Sequence, residues 1–288
     1  MRVLLSPSKA MDFSSSLPEI STTRPLFLDE AHPLVERLRP LSAADLRALF
    51  GVSDKVAALN RERYQAWTID DHEVSARPAL FAYAGPVYKG LDPWQFSDRD
   101  IDLAEKMIRI LSGLYGMLRS RDAVLPYRLD MGTSLENPRG GSLYEYWRDL
   151  VTGELATELA GGAEDGRPGT GDQGARGANG SGSRGAKDSA SRPIVVNLAS
   201  KEYADVVDFD RLPARVIECV FKDRKGDHYR QIQYYVKRAR GLMARHIVRN
   251  RVSDVDGLRR FDLEGYAFSN EESNEERLVF LRDHAGAA

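Results

Sequence analysis

One cysteine in 288 residues leaves nothing to pair with inside the chain, so the fold cannot rest on disulfides and suits a reducing compartment. That residue, Cys219, lies in the apolar string Val216, Ile217, Cys219, Val220, Phe221, which predicts a buried, inert thiol. No apolar run approaches the roughly 18 residues a membrane helix needs, and in the opening MRVLLSPSK, Pro7 interrupts before a secretory core is reached. A cytoplasmic protein with no membrane partner is expected. Strong net charge is missing as well: 41 basic against 43 acidic residues give −2, so no global basic field announces a polyanion partner. The five histidines, His32, His72, His228, His246 and His284, have no paired spacing, so neither metal nor cofactor is expected. Direct iron binding is therefore disfavoured, although carboxylates from distant segments could still assemble a site. Finally, residues 161–192 lack any large apolar side chain, which predicts a disordered Gly-rich insertion whose removal is tolerated.

What remains is long enough for one substantial core and reads as a single α+β domain over 1–288, a central sheet surrounded by helices. Val3–Leu5 is a short strand closed by Ser6-Pro7, with Lys9 and Asp12 in the following loop. Helices are expected over Phe27–Leu38, over Ala43–Phe50 capped by Ser42, from Asp54 to Trp67, and over Leu143–Leu159 with Tyr144, Trp147, Leu150 and Val151 inward. Pro78–Val87 reads as a buried strand, with Val87–Leu91 as a turn presenting Lys89. An apolar helical pattern, Ile101 to Leu111, is capped by Ser97. Strands are expected at Pro193–Ser200 and Val216–Phe221, and Ser200 with Asp205 is a plausible cap. Tyr229–Tyr235 could pair back as a hairpin or begin the next helix, and Val279–Leu281 could add a last strand or helix.

Three stretches carry chemistry. Arg109–Gly132 interleaves glycine, arginine, tyrosine and Asp, so it reads as irregular backbone that could hold a planar anion on Arg119, Arg121 and Arg128 beside Tyr115 and Tyr127. Alternatively the tyrosines are core and the arginines pair with Asp122 and Asp130. Leu46-x-x-Leu49-x-Gly51-Val52-Ser53-x-x-x-Ala57 matches most of a helix-hairpin-helix pattern, in which a glycine turn aims helix-start amides at a DNA phosphate; Lys55 could add charge. Ser53 stands where that pattern prefers a second glycine and Asn60 where it prefers an aliphatic, and a structural αα-hairpin has the same appearance. Lys237–Arg251 contains no acidic residue: Val236, Ala239, Met243 and Ile247 line one helical face, flanked by Arg238, Arg245 and Arg249 on one side and Lys237, Arg240 and Arg251 on the other. Such a helix suits a phosphate backbone.

The blocks LSPSKAMDF, GVSDKVAALNRERYQAW, GPVYKGLD, RILSGLYGMLRSRDAVLPYRLDMG, NLASKEY, FKD and VKRARGLMAR, in this order, resemble the YaaA peroxide-stress protein family over nearly the whole chain outside the insertion. The resemblance implies a cytoplasmic DNA-binding protein of one mixed α and β domain with a helix-hairpin-helix element and a positively charged cleft. It also implies protection against hydrogen peroxide by limiting unincorporated iron and the DNA damage that iron and peroxide cause. Carried over by position, the hairpin is Gly51-Val52-Ser53 with Lys55, and the cleft comprises Lys9, Lys89, Arg109, Tyr127, Arg128, Asn197, Ser200, Tyr203, Lys237 and Arg240. Pro86 departs from the pattern, which has an Asp between Gly85 and Val87; Asp92 is the nearest carboxylate that could replace it. The expected partner is DNA, in duplex, damaged or branched form. The competing reading is an enzyme acting on a nucleotide or nucleic acid, with Arg128, Asn197, Ser200, Asp223 and Lys237 converging on one pocket.

Overall fold

The computed structural model describes residues 1–161 and 192–283. The Gly-rich run read as an insertion lies, but for its two ends, outside the described residues. Eight strands form the main sheet: β1 (Arg2–Leu5), β2 (Ile108–Ser112), β3 (Gly116–Leu118), β4 (Ile194–Asn197), β5 (Arg215–Lys225), β6 (His228–Arg230), β7 (Ala267–Ser269) and β8 (Arg277–Arg282). Their order is β7-β8-β5-β4-β1-β2-β3, with β6 paired to β5 off this path. The five strands from β8 to β2 are mutually parallel, and β3, β6 and β7 are antiparallel additions.

β1 is buried along Val3, Leu4 and Leu5, as its unbroken apolar run requires of a strand paired on both edges. It pairs with β2 in the register Val3↔Ile108 and with β4 in the register Leu4↔Asn197. The chain leaves β1 toward β2 on one side, whereas β4 returns on the other and the sheet then grows outward through β5 and β8. Connections from the C-terminal ends of β1 and β4 thus diverge, and a crevice opens between them, as at any switch point of a parallel sheet.

The helices are α1 (Leu28–Leu38), α2 (Ala43–Phe50), α3 (Asp54–Ala66), α4 (Pro86–Leu91), α5 (Asp98–Met107), α6 (Leu143–Ala160) and α7 (Gln233–Arg249), besides several single turns. Capping boxes start α2, α5 and α6, where Ser42, Ser97 and Ser142 accept from the amides of Asp45, Asp100 and Glu145 while those carboxylates accept from the serine amides. Replacing Ser142 with Ala removes half of one such exchange and is expected to cost about 1 kcal/mol in urea denaturation, with the m-value unchanged.

Several expectations need correction. Arg109–Gly132 is irregular only in part: α5 stops at Met107 and runs directly into β2, because Ile108–Ser112 is claimed by the edge of β1, Gly116–Leu118 is β3, Ala123-Val124 is a short bridge strand, and the stretch from Leu125 to Gly132 is the irregular backbone expected. Pro78–Val87 is not one strand; Ala79–Ala82 forms a helical turn, Tyr83-Ala84 a short bridge strand, and Pro86 opens α4 where a turn was expected. Pro at the first helical position costs no hydrogen bond there. On α6, Trp147 and Val151 are buried, but Tyr144 and Leu150 are only half-buried. Ser200 makes no side-chain cap, and Asp205 instead pairs with Lys201 at 2.7 Å. Residues 228–235 do both things suggested, supplying β6 and then the start of α7. Cys219 is buried in β5, and burial pushes its thiol pKa up, as an inert residue requires.

Candidate functional site

The crevice between β1 and β4 is closed from below by hydroxyls. The Ser200 amide donates to Ser6 Oγ at 2.8 Å, and Ser6 Oγ in turn donates to Ser200 Oγ at 3.2 Å, tying the two diverging loops together. Tyr88 on α4 donates to the Ser6 carbonyl at 3.2 Å. Gly85 has φ 120°, and a Cβ there would meet Ser8 Oγ at 2.6 Å, so only glycine lets this backbone lie against the β1 loop. The result is a cavity of about 310 Å³ walled by Ser6–Ala10, Gly85–Val87, Ser200, Glu202, Tyr203, Lys237 and Arg240.

Two further cavities adjoin it. One, of about 340 Å³, shares Gly85 and is lined by Asp12, Tyr83, Tyr88, Lys89, Asp92, Trp94 and Arg238. The other, of about 350 Å³, shares Arg240 and includes Asn197, Lys201, Glu218 and Cys219. Together they form a furrow along α7, with Lys9, Lys89 and Lys237 exposed in its walls.

Charge in the furrow is only partly spoken for. Lys9 lies 3.0 Å from Asp130, which also takes Arg128 at 3.5 Å. Lys237 is exposed and pairs with no carboxylate among the described residues. Arg240 is half-buried, burial lowers its pKa, and its Nε has no hydrogen-bond partner among the described residues. Glu202 accepts from the Gly132 amide at 3.2 Å, holding the end of the Tyr127–Gly132 loop beside Tyr203.

The structure therefore gathers Lys9, Ser200, Tyr203, Lys237 and Arg240 in one cavity, places Lys89 and Arg238 in the second and Asn197 in the third. Arg128 stands behind Asp130, its carbonyl accepting from the Tyr64 hydroxyl. Arg109 does not join them: it is buried and pairs with Glu158 at 2.8 Å, which also takes Arg2. Tyr127 is buried under the cavity, where its hydroxyl meets Tyr83 and Ser112, each at 2.7 Å. Burial pushes its pKa up to about 12, so it remains a neutral phenol. Asp223 is buried elsewhere, against Arg282.

The basic helix is less free than its composition implied. Arg238 forms a bidentate pair with Glu264, with both carboxylate oxygens 2.9 Å from Nε, and Arg245 donates to the Leu91 carbonyl at 3.0 Å and pairs with Asp92 at 3.2 Å. Asp92, the carboxylate that could stand in for the missing one at Pro86, is thus occupied. Gly51 takes the left-handed conformation at φ 58° and links α2 to α3 through a turn that lines none of the three cavities; Arg47 and Asp54 pair across it at 3.4 Å, and Ser53 makes no side-chain cap. Lys55 is exposed on the first turn of α3. Sequence reasoning missed Ser6, Tyr83 and Tyr88, while Glu202 follows Asn197 and Ser200 among the polar residues at the exit of β4. Only Ser6, at a strand exit before proline, carried a usable signal.

Comparison with known proteins agrees with the resemblance. A family model described as peroxide stress protein YaaA matches residues 1–168 and 180–272. The chain is 42% identical over 282 residues to a UPF0246 protein of Idiomarina loihiensis, covering 98% of both chains. It is 40% identical over 284 residues to one of Aliivibrio fischeri, again with 98% of each covered. A UPF0246 protein of Paracidovorax citrulli is 42% identical over 287 residues, 99% of this chain and 100% of its own. With near-complete coverage on both sides and the family model spanning the furrow, α7 and every strand of the main sheet except β8, the chain belongs to the YaaA peroxide stress protein family.

Proposed function

We propose that this peroxide stress protein acts by binding DNA along the furrow, limiting the iron-dependent damage that peroxide causes there. The observation that carries this reading is the set of exposed lysines, Lys9, Lys89 and Lys237, lining two adjoining cavities that share Gly85 near the switch point of the sheet. Such spaced ammonium groups neutralise successive phosphates without reading bases, and the gain comes from released counterions. The turn at Gly51–Ser53 with Lys55 is a candidate second contact, since the amides opening α3 lack side-chain caps.

The test is binding to duplex, bubble and single-stranded DNA across a salt series, with Lys9→Glu, Lys89→Glu and Lys237→Glu singly and together. Arg240 is left alone because reversing a half-buried charge would disturb the fold. Each lysine removed should lower the slope of log K against log salt by about 1. The triple variant should bind weakly at every salt concentration, whereas Lys55→Glu reports on the hairpin separately. Unchanged affinity and slope in the triple variant would overturn the reading.

The smaller alternative is a nucleotide-like ligand in the 310 Å³ cavity, favoured by the unpartnered Nε of Arg240 beside the Ser6 and Ser200 hydroxyls. Catalysis has less support: among the described residues no histidine lines this cavity, and its two linked serines hydrogen-bond each other rather than a base. Thermal shift with nucleoside mono- and diphosphates separates the two readings.

A further inference from the structure

Beneath the furrow the aromatic side chains form a connected file. Tyr83 and Tyr88, both lining the 340 Å³ cavity, have ring centroids 5.5 Å apart. Tyr83 lies 6.4 Å from Tyr127, and Tyr127 lies 5.4 Å from Tyr115. The file ends inside the core, where Tyr115 meets His72 at 5.8 Å and His72 meets Trp67 at 5.0 Å.

The hydrogen bonds at the inner end fix every proton. His72 Nδ1 faces the carbonyls of Thr68 at 2.9 Å and Ile69 at 3.2 Å, both acceptors only, so Nδ1 carries the hydrogen and Nε2 is a bare lone pair. Tyr115 Oη accepts from Trp67 Nε1 at 3.1 Å and from the Leu125 amide at 3.2 Å. Its own O–H therefore has one acceptor, His72 Nε2, at 3.0 Å. Burial lowers the pKa of His72, so the imidazole is neutral and its Nε2 lone pair is unprotonated. A phenol with a base on its proton and two donors on its oxygen is built so that losing an electron and losing a proton coincide. Packing alone asks for neither the ordered acceptor nor the unbroken file to the surface.

We propose that this file conducts single oxidising equivalents from the furrow to Tyr115, which holds them as a neutral tyrosyl radical. The oxidant is a hydroxyl radical, formed at the furrow when a ferrous ion from solution gives one electron to hydrogen peroxide, whose O–O bond breaks to leave the radical and hydroxide while the iron becomes ferric. It takes one electron from the Tyr83 or Tyr88 ring and becomes hydroxide, which solvent protonates to water. Electrons then move outward from Tyr127 and from Tyr115, refilling each ring in turn. The protons of the intermediate phenols stay within the hydrogen-bonded hydroxyls of Tyr83, Tyr127 and Ser112, and that of Tyr88 stays in its bond to the Ser6 carbonyl. At Tyr115 the O–H bond breaks as the electron leaves, its proton bonds to His72 Nε2, and the pair becomes a tyrosyl radical and an imidazolium. The oxidant is reduced by one electron and Tyr115 is oxidised by one, so a radical formed beside a furrow-bound molecule ends in the protein core.

This inference goes beyond DNA binding and is tested without DNA. Hydrogen peroxide is photolysed in the presence of the full-length protein, the sample is freeze-quenched, and its EPR spectrum is recorded. Ring-deuterated tyrosine is placed at position 115 alone or, as a surface control, at 229 alone; neither label alters packing. The expected spectrum is a neutral tyrosyl radical whose ring-proton splitting collapses with the label at 115 and is unchanged with the label at 229. Tyr127→Phe, which keeps the ring and removes the hydroxyl, should lose most of the signal at 115. A radical that forms but ignores the label at 115, or no tyrosyl radical at all, would overturn the proposal.

Discussion

Alanine in place of Gly241 is expected to lower stability by about 3 kcal/mol or more, at or beyond the top of the usual range for overpacking. Spread over a chain of this size, that is a fall in Tm of about 6–12 °C by calorimetry. A Cβ at Gly241 would stand 1.8 Å from the Val87 carbonyl oxygen and 2.6 Å from the Leu91 amide nitrogen. The facing residue on α4 is in the same position, since a Cβ at Gly90 would meet the Arg238 carbonyl oxygen at 2.1 Å. Both obstructions are backbone, so no side chain can swing away and α4 must part from α7. Pro86, Lys89, Lys237 and Arg240 are carried by these two helices, so DNA affinity should fall with stability. Gly153 on α6 is the control of opposite sign: nothing lies within 4 Å of a Cβ there, and Ala should stabilise by about 0.4–1 kcal/mol. A Gly241→Ala protein melting within a degree or two of the parent would mean that the two helices yield easily.

The second large effect is expected at Asp223, which is fully buried and faces Arg282 across the β5/β8 pair. Arg282 contacts it at 2.6 Å through Nε, Tyr266 donates to it at 3.1 Å, and the guanidinium is sandwiched between the rings of Tyr266 and Tyr235, 4.4 and 4.7 Å from their centroids. Asp223→Asn leaves a buried guanidinium without its counter-charge, and the expected cost is about 3–5 kcal/mol. Glu264, 3.8 Å from Arg282 Nη1, places the value toward the lower end of that range. The double variant Asp223→Asn with Arg282→Met should recover most of the loss, because removing both charges strands neither. Equal stability of the single variant and the parent in urea denaturation would show that the ion pair contributes nothing net.

How much of this was legible in the sequence depends on whether the information was local. The caps at Ser42 and Ser97, the strand at Val3–Leu5 and the apolar face of α7 follow from spacing, and all appear where spacing put them. The end of α5 does not, because the helical pattern continues through Leu111 while the free edge of β1 takes Ile108–Ser112 as a strand. Likewise, no acid stands within Lys237–Arg251, yet Glu264 and Asp92 arrive from other segments to occupy Arg238 and Arg245. Lys9, Ser200, Lys237 and Arg240 were named as a group only through family resemblance, since nothing in their spacing brings them together. The aromatic file was invisible for the same reason: Tyr83, Tyr88, Tyr115 and Tyr127 each look like core, and only the fold lines them up.

The pairing of Ser6 with Ser200 spans 194 residues. On the ribosome, β1 is made before β2 and can pair with it as soon as β2 appears, but its other edge waits for β4. Until then the nascent chain displays Val3–Leu5 as an apolar strand with one side unpaired, a template for joining the same strand of another chain. Truncations that stop before residue 194 should accordingly be recovered as aggregates rather than as a smaller soluble domain, and the furrow comes into being only once β4 and α7 have both been made.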